Sequence, residues 1–288
     1  MGRRAKHGGG QGARAGGPSV SESLREYGRG VAGGLIFSLP LLYTMEVWWT
    51  GFVASPARLL TCVGATYVLL FGYNHYAGLR RDASWWEVAI DSVEEMGLGL
   101  LLAGLVLWLL GRVTTEQPAA EVLGVVVLEA MTVAIGVSVG TAQLGASDDK
   151  EEKPGEEATT FGGQLVVAFC GAVLFAANVA PTEEILMIAA EISAARAVGL
   201  ALLSMAFGGG VLYFTEFRGA RRHAPAEGHL AVFAGTVVTY AVALAASALI
   251  LWFFGRFDGA SALVCLMQTV VLGVADALGA SAGRLLLQ

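Results

Sequence analysis

The chain has 288 residues, 55% of them hydrophobic and 15% charged, with a mean hydropathy of +0.64. That balance excludes a soluble domain, whose surface needs more charge. Its apolar runs reach about 20 residues, enough to span a bilayer as helices, and they are continuous rather than alternating, which selects helices over a β-barrel.

The formal net charge of −6 hides a segregation of charge. Residues 1–29 are glycine-rich and basic, with Arg3, Arg4, Lys6, Arg14, Arg25 and Arg29. They read as a disordered cytoplasmic tail that sets orientation, not as a nucleic-acid-binding arm. The first apolar run starts too late and continues too long for a cleavable signal peptide. Eight spans are predicted, over residues 30–51, 59–79, 85–110, 119–144, 161–190, 197–217, 230–254 and 260–286. With the N-terminus inside, 14 of the 18 Lys and Arg fall in inner segments, and Arg58, Arg112, Arg196 and Arg256 are the four left outside, as the positive-inside rule requires. Trp48, Trp49, Trp85, Trp86, Trp108 and Trp252 fall near span ends, where indoles collect. A multi-pass topology with both termini cytoplasmic follows.

The chain also repeats itself. A shift of 138 places Phe37 on Phe175, Glu46 on Glu184, Arg58 on Arg196 and Arg80 on Arg218. A shift of 144 places Trp108 on Trp252 and Arg112 on Arg256, and one of 143 places the Gly-x-Ser-x-Gly stretch at Gly136 on that at Gly279. The expected organisation is two parallel four-helix repeats, 30–146 and 161–288, related by a pseudo-twofold axis along the membrane normal. An acidic, solvated linker, 147–160, joins them. The Gly-x-Ser-x-Gly stretches lack the strand–turn–helix setting of a hydrolase nucleophile and read as surfaces for close helix contact. Cys62, Cys170 and Cys265 lie singly in separate spans, with no metal or disulfide spacing.

Carboxylates carry the chemical signal. Glu46, Asp91, Glu94, Glu95, Glu129, Glu183, Glu184 and Asp276 fall inside predicted spans, with no Lys or Arg read at comparable depth. An acid placed in hydrocarbon costs several kcal/mol, so it must be protonated, hydrated or bound to a cation. Glu46 and Glu184 match across the repeat, and each follows a proline, Pro40 and Pro181, at which a helix should break and free backbone carbonyls. Asn178 adds an amide oxygen one turn from Pro181. These residues, with Glu183 beside them, form the expected cation-binding group. Glu129, Asp276, Asp91 and Glu95 extend it inward as a stepped path. Glu87, Asp91, Glu94 and Glu95 form a helical stripe at the start of the third span, where early solvation of the helix is the competing explanation.

The stretch from Ala177 through Asn178 and Pro181 to Glu184 resembles the Asn…Pro-Glu signature in the repeats of cation/calcium exchangers. The resemblance implies that Glu183 or Glu184 coordinates the cation. Over most of its length the chain is similar to a family of uncharacterised bacterial integral membrane proteins, which implies residence in a bacterial inner membrane and no particular activity. The expected function is a cation transporter or channel that works in the lipid bilayer on an inorganic cation or proton, without cofactor or nucleic-acid partner. The alternative is a membrane sensor or assembly protein whose acids only hold helices together. An enzyme is not expected, because no nucleophile–base pair or metal motif is present.

Overall fold

The structure is a computed structural model that describes residues 20–78, 83–145, 160–219 and 229–285. Among these residues every regular element is an α-helix: α1 (Val20–Leu42), α2 (Met45–Val53), α3 (Pro56–Ala77), α4 (Trp85–Leu109), α5 (Ala119–Gly145), α6 (Phe161–Val179), α7 (Glu183–Glu191), α8 (Ala194–Gly219), α9 (His229–Phe253) and α10 (Ala262–Leu285). Seven of them are long and apolar enough to cross a membrane, and α1 with α2 makes an eighth if that pair, bent by 85°, counts as one span. The long helices turn leucine and valine outward, as at Leu60, Val68, Leu101, Leu202 and Leu249, which is the surface lipid requires.

Two of the expected spans are not continuous. Residues 30–51 divide between α1 and α2, and residues 161–190 between α6 and α7. Each half therefore has five helices, four long and one of nine residues, rather than four. The cause is local. Pro40, in the last turn of α1, has no amide to continue the ladder. The Thr44 hydroxyl then donates to the Pro40 carbonyl at 2.6 Å and the Thr44 amide to the Leu41 carbonyl at 2.8 Å. Thr44 turns extended (φ −94°, ψ 112°) and starts α2. After α6, Pro181 precedes Thr182, whose hydroxyl and amide both donate to the Val179 carbonyl, and Thr182 starts α7 in the same extended conformation. Both short helices begin and end 138 residues apart, Met45 to Glu183 and Val53 to Glu191.

A second correction concerns the N-terminal tail. Helix α1 begins at Val20, so the last ten residues of the expected 1–29 tail are helical. The glycine-rich sequence ends at Gly17, and α1 opens on Ser, Glu, Leu and Arg, residues a helix accepts. Residues 1–19 and nearly all of the acidic linker lie outside the described residues.

Glycine sets the helix spacing. A methyl group on Gly33 of α1 would collide with the backbone of Gly136 and Gly140 on α5, and one on Gly171 of α6 would collide with the backbone of Gly279 and come against Gly283 on α10. The two Gly-x-Ser-x-Gly stretches thus let α1 cross α5, and α6 cross α10, with backbones in contact. Helix α5 is the post of the first half: residues 127–140 are all buried, and α1, α2, α3, α4 and α6 pack on it. The α4–α5 and α9–α10 connections also match. Gly111 (φ +68°) and Gly255 (φ +72°) end their helices in the left-handed conformation, with Arg112 donating to the Leu107 carbonyl and Arg256 to that of Leu251.

Replacing Gly33 or Gly171 with leucine should lower the thermal stability of the detergent-solubilised protein by more than the ~1–3 kcal/mol of ordinary overpacking, because the obstruction is backbone. Gly64→Ala and Gly97→Ala, where a methyl meets nothing within 4 Å, should be neutral or stabilising by up to about 1 kcal/mol. Melting of Gly33→Leu at the parent temperature would contradict the close crossing.

Candidate functional site

The bundle has two ends. Helices α1, α4 and α6 start, and α3, α5 and α10 finish, at the lower end; α2 and α7 lie at the upper end, where α3, α5, α8 and α10 begin. At the lower end α3, α4 and α5 build a polar knot. Ser84 and Glu87 form a reciprocal capping box that fixes the start of α4. Glu87 is consumed there, and the rest of its predicted stripe turns one and two turns further into the bundle. Asp91, Glu94 and Glu95 line a cavity of about 110 Å³, joined by Glu26 from α1, Asn74 from α3 and Ser138 from α5.

The knot has a defined direction. Ser92 spends its proton on the Val88 carbonyl at 2.7 Å, so it can only accept from the Asn74 side-chain nitrogen at 3.3 Å. That fixes the amide: its nitrogen donates to Glu95 Oε2 at 2.7 Å, and its oxygen accepts from the Ser138 hydroxyl at 2.7 Å. Glu95 is thereby held on one oxygen while it lines the cavity. Two of the predicted path residues, Asp91 and Glu95, are brought together here. Asn74, Ser92 and Ser138 were not singled out by sequence. The signal available was one amide in the second apolar run, and a serine already assigned to close packing.

Glu129 and Asp276 are fully buried. Both carboxyl oxygens of Glu129 lack a hydrogen-bond partner among the described residues. Asp276 accepts from the Ser247 hydroxyl at 2.5 Å on one oxygen, while its other oxygen is buried without a partner among the described residues.

At the upper end the members of the expected cation-binding group have different surroundings. Glu46 is half-buried and Glu184 exposed, each in the first turn of its nine-residue helix, where a carboxylate complements the helix dipole. No hydrogen bond or ion pair joins the two among the described residues. Glu183 pairs with Arg256 at 2.8 Å, so an acid read as lacking a basic partner has one. The αL turn at Gly255 delivers that arginine to α7, and the matching turn at Gly111 delivers Arg112 over the Trp48 ring of α2, 4.9 Å from its centre. Asn178 donates to the Leu174 carbonyl at 2.7 Å and across to the Phe37 carbonyl of α1 at 3.1 Å, tying the halves together, while its amide oxygen is buried without a partner among the described residues. Among the described residues no group of three or more His, Cys, Asp or Glu is arranged to hold a metal ion.

No curated protein and no solved structure matches the chain. One family profile does, over residues 26–287, which takes in all of the described bundle beyond the first residues of α1. Seven or eight helical spans long and apolar enough to cross a membrane agree with that family's description, and the chain belongs to it: "Putative integral membrane protein (DUF2391)".

Proposed function

We propose that this integral membrane protein moves a cation across the bilayer, with the lower cavity as the cytoplasmic mouth and Glu95 as its binding carboxyl. The observation that carries this reading is the Asn74–Glu95–Ser138 knot. Three membrane-length helices each contribute a buried or half-buried polar group to orient one carboxyl toward a cavity, and such an arrangement is costly unless the site is used. In this reading Glu46 and Glu184 attract cations at the outer mouth, Glu183 with Arg256 braces α7, Asn178, Glu129 and Asp276 lie along the way, and Asp91 shares the inner mouth. The halves are related by a pseudo-twofold axis along the membrane normal. Their common helix order, matching glycine crossings and matching αL turns support that relation.

Purified protein in liposomes should pass a cation, and Glu95→Gln should cut that flux at least about tenfold, equivalent to ~1.4 kcal/mol in barrier. Glu116→Gln, in the exposed α4–α5 connection, should transport as the parent does. Parent-like flux in Glu95→Gln would remove Glu95 from the path.

Orientation has its own test, in a cysteine-free background. Ser147→Cys should resist an impermeant thiol reagent in intact cells, and Glu116→Cys should react. Labelling at position 147 would invert the mouths.

A further inference from the structure

Several buried hydroxyls here are satisfied by their own helix: Ser92, Ser204 and Thr239 each donate to the carbonyl four residues back. Ser38 does not. It is fully buried, and its oxygen has no partner among the described residues, as is true of the Asn178 oxygen and both oxygens of Glu129.

The glycine contacts place these orphans in order. Gly30 against Thr141, Gly34 against Val137 and Gly33 against Gly140 set α1 antiparallel to α5. The same register carries the α1–α2 bend to the level of Glu129. Glu129 precedes Gly136 by two turns, on the face of α5 that packs against α1, and a helical side chain leans toward its own N-terminus, here the bend. There the first amides of α2 lack intrahelical partners. One to two turns lower on α1 lie Ser38 and Phe37, the latter bonded by Asn178. About one turn below them comes the level of Ser138 and Asn74, and then the cavity beside Gly30 and Glu26. Steps of one to two helical turns, roughly 5–11 Å, are spans that one to three bound waters bridge.

Packing does not demand these polar groups. Seven residues before Gly279, where Glu129 stands before Gly136, the second half has Leu272; five residues after Gly171, where Ser38 stands after Gly33, it has Ala176. Both are fully buried. The same glycine crossing is therefore closed once with leucine and alanine and once with a carboxyl and a hydroxyl.

Resting on the transport reading, we infer that the cation is the proton, and that Glu129 relays it between the α1–α2 bend and Glu95 through water held at Ser38 and Asn178. A metal cation stripped of its shell needs several oxygen ligands at once, and among the described residues no group of three or more His, Cys, Asp or Glu is arranged to hold one. The relay step is balanced. Protonated Glu129 gives its proton to a water beside Ser38, which leaves as hydronium. A hydronium ion at the bend then returns a proton to the same carboxylate, leaving water, and Glu129 is back in its starting, protonated state.

Three readouts on the full chain in liposomes decide this. Glu129→Leu, which installs the residue of the second half, should melt at or above the parent temperature. It should also reduce proton flux about a hundredfold or more, the lower range for a lost proton-transfer group. Infrared spectra of the parent labelled with 13C-glutamate should show a protonated-carboxyl carbonyl band that Glu129→Leu removes and that shifts in deuterium oxide within minutes. Parent-like proton flux in Glu129→Leu overturns the relay, as does a Glu129 band that is missing or does not exchange. Sodium or potassium flux without proton flux overturns the choice of ion. If no ion moves while the exchanging band is present, the transport reading fails and the hydrated Glu129 stands. Should Glu129→Leu not fold, the exchange of the carboxyl band in the labelled parent still decides for or against a hydrated, protonated Glu129.

Discussion

Backbone contact between helices at glycine is the constraint on which the rest of this structure depends. In a bilayer, burying apolar surface gives helices no reason to associate, so close packing and interhelical hydrogen bonds must hold them. The crossings of α1 with α5 and of α6 with α10 supply that packing, because Gly33, Gly136 and Gly140 in one half, and Gly171, Gly279 and Gly283 in the other, bring main chains together. Once α1 is seated, its register against α5 fixes the level of every polar group on either helix. The α1–α2 bend then comes to the level of Glu129, and the start of α1 meets the cavity.

That scaffold serves two kinds of acid. Glu46, Glu183, Glu184 and Glu87 sit in the first turns of helices, where the chain gains from a negative charge and where water or arginine is within reach. Their presence is explained by local helix chemistry alone. Glu95, Glu129 and Asp276 lie in helix interiors, where a carboxyl contributes nothing to helix formation and costs much to bury. Leu272, at the same distance before Gly279 as Glu129 is before Gly136, is a fully buried leucine. Transport is proposed for this second kind of acid, and the first kind marks the ends of the path.

Composition and hydropathy sufficed for the helical membrane class and for the number of apolar runs, because a span is a local property of about 20 residues. The helix breaks were half legible. Pro40 and Pro181 announced a kink, but nothing local says that Thr44 and Thr182 will each start a new helix, an outcome that depends on what α2 and α7 pack against. The small-residue role of Gly136 and Gly279 was legible from spacing, whereas their partners Gly33 and Gly171 were not, since either could have faced lipid. The Asn74–Glu95–Ser138 knot joins residues 21 and 64 positions apart, on three helices whose rotation is set by tertiary contact. Glu46 and Glu184 were the sharper sequence signal because they repeat. Repetition, however, reports a shared helix start as readily as a shared site.

Passage of a cation through this bundle is the central claim, and a single flux measurement reaches it. The full chain, reconstituted into sealed liposomes with an imposed membrane potential and an interior pH dye, should acidify or alkalinise the lumen according to the sign of that potential. The rate should scale with the protein-to-lipid ratio. A lumen pH that tracks protein-free liposomes, with no sodium or potassium movement either, would contradict it.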